Sequence, residues 1–139
     1  MSLKHGWRWM VALAAIVAIA CGGEKGTATP TELQRVKAGT LDIVLLSSDE
    51  AVQQGKDAVV LEFRGADGAL KDVGIVRAVA TMPMAGMAPM FGVVDVRQTD
   101  TPGRYAVATD LGMAGGWQIS LEWEGPSGRG TARFQQTVR

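Results

Sequence analysis

The sequence predicts an all-β sandwich of about seven antiparallel strands, and three observations carry that expectation. From Thr40 onward, short apolar runs are separated by turn residues at fairly even spacing, the pattern of stacked antiparallel strands. In GWQISLEWE, Trp117, Ile119, Leu121 and Trp123 alternate with Gln118, Ser120, Glu122 and Glu124, a period of two that buries one face and solvates the other. No ten-residue stretch after the N-terminal segment shows a convincing helical period. Short strands of this number over residues 40–139 make an immunoglobulin-like arrangement.

The chain begins with a segment that does not belong to the sandwich. Lys4 and Arg8 precede Met10–Ala20, MVALAAIVAIA, an apolar run too short for a comfortable membrane span but right for the hydrophobic region of a secretory signal. Small Ala20 is followed at once by Cys21, the only cysteine of the 139 residues. The coincidence resembles a bacterial lipobox, which implies a signal peptide over residues 1–20 and a lipid-modified Cys21. An uncleaved anchor helix is the alternative. Gly22 lacks the aspartate that commonly retains lipoproteins at the inner membrane, so in a two-membrane host the outer membrane is favoured. Residues 21–39 then read as a flexible tether, because GGEKGTATPTELQRVKAG is rich in Gly, Thr and charge without apolar periodicity.

Seven strand candidates follow: Thr40–Leu46, Ala58–Arg64, Gly74–Met82, Gly92–Gln98, Arg104–Thr109, Gly116–Glu124 and Thr131–Val138. Val59, Leu61 and Phe63 mark the inward face of the second, and Ala132, Phe134 and Val138 that of the last, where Gln136 interrupts the apolar phase. Ala66-Asp67-Gly68 and Pro126-Ser127-Gly128 supply residues suited to fixed or positive φ in turns. In TPGRYAV a Gly-x-Tyr enters a late strand, so Tyr105 is either a tyrosine corner, its hydroxyl bonded to a nearby backbone group, or an ordinary core aromatic. Trp117 and Trp123 are expected to be buried together.

Composition excludes several kinds of function. Removing Lys4 and Arg8 leaves 12 basic against 14 acidic residues, a formal charge of −2, which gives no electrostatic case for nucleic acid. His5, the only histidine, lies in the signal. The exported part therefore lacks histidine and, with Cys21 lipidated, a thiol, so Ser-His-Asp and Cys-His catalysis and ordinary zinc or di-histidine copper sites are ruled out. Asp95, Asp100, Asp110, Glu122 and Glu124 could form an acid–base pair only by leaving the outward strand positions and turns they are expected to occupy. The glycines follow turns and build no phosphate loop. The protein is expected not to be an enzyme.

Methionine is the chemistry that remains. Of seven methionines, Met82, Met84, Met87 and Met90 fall within the nine residues of MPMAGMAPM, and Met113 lies in LGMAGGW. A core filler should be scattered among the strands, whereas these are confined to two segments and surrounded by Pro83, Ala85, Gly86, Ala88 and Pro89. Thioethers are soft neutral ligands that select Cu(I), and by the same softness Ag(I). One straight segment cannot supply them all: at a polyproline-II rise of about 3.1 Å per residue, Met84 and Met90 would stand roughly 19 Å apart. Either Gly86 bends the segment, or a neighbouring pair binds and Met113 completes the site from a facing loop. The competing reading is a soft, metal-free apolar handle for a protein partner.

The combination of TMPMAGMAPM, the Gly103-x-Tyr105 step and LGMAGGWQISLEW resembles the YtkA-like domain, a small exported bacterial β-sandwich, over about Thr40–Val138. Met82, Pro83, Met84, Met87, Met113 and Trp117 match its pattern. No long transmembrane anchor of the kind typical of the related FixH-like proteins stands beside it, and the lipobox takes that place. The resemblance implies association with copper handling, heavy-metal efflux or oxidase assembly. The expected function is thus a lipid-anchored envelope module that binds Cu(I) or Ag(I) through Met82, Met84, Met87, Met90 and Met113 and works with a metal-transport or oxidase-assembly protein. A metal-free immunoglobulin-like adaptor is the alternative.

Overall fold

The computed structural model describes residues 29–139; the signal segment and Cys21 lie outside them. It contains eight strands: β1 (Thr31–Ala38), β2 (Leu41–Ser47), β3 (Gly55–Arg64), β4 (Ile75–Met82), β5 (Met90–Gln98), β6 (Arg104–Leu111), β7 (Gly115–Gly125) and β8 (Gly128–Val138). All pair antiparallel, in the spatial order β1-β2-β3-β6-β5-β4-β7-β8. The turn in this order is β5: its residues 90–92 pair with β4 and its residues 93–98 with β6. That switch folds one ladder into two layers, β1-β2-β3-β6-β5 against β4-β7-β8, in an immunoglobulin-like sandwich.

All seven expected strands are present with their ends moved by a few residues. The eighth, β1, corrects the tether assigned to residues 21–39: the sandwich begins at Thr31, not Thr40. Its sequence hid it for two reasons. As an edge strand it turns Glu32, Arg35 and Lys37 to solvent, while Leu33, Val36 and Ala38 are only half-buried against the core. A bulge between Glu32 and Gln34 also shifts the register, and a bulge breaks the period of two by which strands are recognised.

The two layers meet over alternate residues. Ile43, Leu45, Leu61, Phe63, Tyr105 and Val107 face Val76, Ala80, Trp117, Ile119, Leu121 and Phe134. Gln136 keeps the inward phase of β8; its amide nitrogen donates to the Thr137 carbonyl at 3.2 Å while its amide oxygen is buried without a partner. Trp117 and Trp123 are both buried but not together, because six residues of β7 separate them by roughly 20 Å. Trp123 lies edge-on to Phe63 with ring centroids 5.2 Å apart, and Trp117 sits at the opposite end.

The end that holds Trp123 is fastened by backbone contacts. The Tyr105 hydroxyl donates to the carbonyl oxygen of Gly74 at 2.8 Å, and the Gln98 amide donates to the same oxygen at 2.9 Å. The acceptor lies 31 residues upstream and in the other layer, so Tyr105 ties the two layers rather than closing a local corner. Phe63 packs edge-on to its ring at 5.5 Å. Burial and the nearby Asp72 carboxylate push the Tyr105 hydroxyl above its ordinary titration range. Gly74 and Gly125 allow the chain to cross itself here: a Cβ on Gly125 would stand 2.4 Å from the Val73 carbonyl oxygen. On the outer face of β3, buried Glu62 is held between Arg64 and Arg104, the latter at 2.9 Å.

Candidate metal centre at the methionine end

The opposite end is built by two connections. Between β4 and β5, Met82 and Met90 are directly opposite in the ladder, so Pro83–Pro89 is the loop of a hairpin and not an extended rod. Within it the Met87 N–H donates to the Met84 carbonyl at 3.3 Å. Gly86, third residue of that turn, has φ 72°, the positive value that a type II turn demands there. Gly86 therefore bends the segment, and the separation that forbids a straight four-sulfur site does not apply.

The second connection, Gly112–Ala114 between β6 and β7, carries Met113. The Trp117 indole N–H donates to the Met113 carbonyl at 2.9 Å, fixing the loop to the core. A Cβ on Gly115 would come within 2.9 Å of the Met82 methyl, so the thioether of the first segment rests on the backbone of the second. Gly92 reports the floor beneath: a Cβ there would collide with Leu111 Cδ2 at 2.3 Å and approach the Trp117 ring at 3.0 Å. The indole thus spans the space from Met113 to the start of β5.

The methionines are graded by depth, which corrects the expectation that methionines confined to two segments are not core filler. Met82 ends β4 with 8% of its surface exposed and belongs to the core. Met84 and Met90 are half-buried against that core, and Met90 is the first residue of β5 rather than part of the loop. Met87 and Met113 are exposed, at 64% and 40%. Buried and half-buried thioethers lie in the hairpin, with outer ones on both loops. This is a soft, neutral donor set that suits Cu(I) or Ag(I) and offers little to hard cations. Among the described residues, no three His, Cys, Asp or Glu side chains are grouped to hold a metal ion. Asp95, Asp100, Asp110, Glu122 and Glu124 are all exposed, as their strand phase and turn positions require.

Sequence reasoning missed Gly92 and Leu111. A glycine inside the apolar run of β5 was the available signal, since such a glycine marks close approach of another group.

Fold and site together define a small all-β sandwich domain with a thioether-lined end. The chain belongs to the YtkA-like family, which it matches over residues 35–122, a stretch that starts within β1 and includes all five methionines. No curated protein matches it. Among solved structures it is similar to the Lin-41 filamin domain, at 14% identity and TM-score 0.46 over 76% of this chain and 98% of that one. It is also similar to the ZirS C-terminal domain, at 14% identity and TM-score 0.43 over 100% of this chain and 87% of the other.

Proposed function

We propose that this protein is a non-catalytic module of the bacterial envelope that binds Cu(I) or Ag(I) through Met82, Met84, Met87, Met90 and Met113 and buffers, delivers or helps export the ion. The observation that carries the reading is the hairpin register: Met82 opposite Met90, with the Met82 methyl on Gly115, draws the two methionine segments to one end of the sandwich. Membership of the YtkA-like family adds its association with copper handling. Cys21 is the lipid attachment site, which would hold the module on a membrane, the outer one in a two-membrane host, beside a metal-transport or oxidase-assembly protein.

A second reading has an observation of its own. Phe91 is 69% exposed next to the hairpin, an aromatic that would serve a metal-free adaptor gripping a protein partner.

Titration of the full chain in detergent with Cu(I) against a competing chelator, and with Ag(I), separates the two. The metal reading expects binding tighter than about micromolar and at least about tenfold weaker in Met82→Leu plus Met84→Leu. Binding no tighter than that, or unchanged in the double variant, overturns it. Leucine keeps volume and apolarity, so an adaptor would retain its partner in the same variant. Trp117 supplies a second readout, since an ion at this end lies beside its indole.

A further inference from the structure

Residues 29–139 contain neither cysteine nor histidine, so their readily oxidised side chains are the five methionines, Trp117, Trp123 and Tyr105. The fold sorts these by access. Trp117, Trp123 and Tyr105 are buried in the core, and Met82 is buried with them. Met84 and Met90 are half-buried against it, and of the eight only Met87 and Met113 are exposed.

Room for a modification follows the same order. Gly86 and Ala88 flank Met87, and Gly112 and Ala114 flank Met113; a Cβ placed on Gly86 or Gly112 meets nothing within 4 Å. An oxygen atom added to either exposed sulfur is taken up in solvent without moving the backbone. The same atom on Met82 would be sealed in beside Gly115, whose Cβ would already stand 2.9 Å from the Met82 methyl, and a polar S=O group buried without a donor is costly.

We infer, on the metal-binding reading above, that Met87 and Met113 are oxidation sites through which a peroxide controls ion binding at this end of the sandwich. The sulfur lone pair attacks one peroxide oxygen. The S–O bond forms as the O–O bond breaks, the second oxygen takes the proton and leaves as water, and sulfur gives up the two electrons that the peroxide gains. The product is methionine sulfoxide. Oxidised sulfur holds its remaining lone pair more tightly and the new oxygen is a hard donor, so a soft ion loses both ligands. Because the two sulfurs stand on different loops, donors are lost from both connections at once, while Met82 stays reduced and the core intact. An ion already bound engages the same lone pairs and shields them from attack.

The full chain carrying Cys21→Ser, in which no thiol competes for oxidant or ion, tests this in detergent with hydrogen peroxide and peptide mass spectrometry. Met87 and Met113 are expected to gain one oxygen each, with Met82 slower by about tenfold or more. At that dose circular dichroism stays unchanged, and Ag(I), which does not cycle with peroxide, binds at least about tenfold more weakly. Loading with Ag(I) beforehand slows oxidation at both positions. In Met87→Leu plus Met113→Leu the same dose shifts Ag(I) affinity by less than about twofold. Met82 oxidised as fast as Met87, rates indifferent to Ag(I), or an oxidised chain that binds Ag(I) like the untreated one overturns the inference and leaves the metal reading standing. A further loss of affinity in the double variant, or loss of structure on oxidation, overturns it by placing the sensitive sulfur deeper. A reduced chain that does not bind Ag(I) overturns the metal reading itself, and the inference with it.

Discussion

The two ends of the sandwich are made of different materials. At the Tyr105 end, backbone touches backbone through Gly74 and Gly125, one carbonyl accepts two side-chain hydrogen bonds, and Phe63 locks between Tyr105 and Trp123. At the methionine end, contact is made by flexible thioethers lying on glycine, with side-chain hydrogen bonds from Trp117 and Gln54 to hold the second loop. Directional bonds and glycine crossings tolerate almost no displacement, whereas an unbranched, polarisable side chain can reshape around what it meets. Stability is concentrated at one end, and adaptability is left to the other.

Substitutions can break this comparison, beginning with the most damaging. Gly125→Ala forces a Cβ to 2.4 Å from the Val73 carbonyl, and should cost about 2 kcal/mol or more in urea unfolding. Gly112→Ala, on the methionine side, meets nothing within 4 Å and should fall within about 0.5 kcal/mol of the parent. Equal losses at the two positions would erase the distinction.

Tyr105→Phe comes next, at about 1 kcal/mol, since Gly74 keeps its bond from Gln98. It also carries a pH signature. The hydroxyl titrates above its ordinary range in the folded chain, so the unfolded chain loses this proton first. The contribution of the neutral group is complete below the ordinary tyrosine value and is lost as pH rises through the folded one. Denaturation midpoints measured into the alkaline range should fall for the parent and fall less steeply for Tyr105→Phe.

The smallest effect on stability and the clearest on function belong to Met87→Leu plus Met113→Leu. Both side chains are exposed, so the melting temperature should move by no more than a degree or two, while Ag(I) affinity falls. A large loss of stability would mean that these two loops are structural after all.

Much of this was legible in the sequence because strands that bury one face announce it by alternation. GWQISLEWE gave β7 almost to the residue. β1 escaped because an edge strand needs little apolar surface and its bulge broke the phase. The methionine spacing already suggested that the two loops share one end of the sandwich and that Gly86 bends the first, and the structure has both features. Depth was not legible: Met82 looks like its neighbours in TMPMAGMAPM, and only the pairing of β4 with β7 shows that it falls on the inward phase of Ala80. The exposure of Phe91 was equally hidden, since the apolar run MFGVV does not say which phase faces out; in the structure Phe91 is on the outer face of β5, opposite Thr81.

The direction of β1 has a consequence for how the domain stands. Thr31 pairs with Ser47, and through β2 and β3 that places it level with Val59 and Val107, near the middle of the sandwich, from which β1 runs toward the Tyr105 end. Nine residues lie between Cys21 and Thr31, a leash of at most about 35 Å. Under the lipidation proposed for Cys21, that leash would hold the start of the sandwich within this distance of a bilayer.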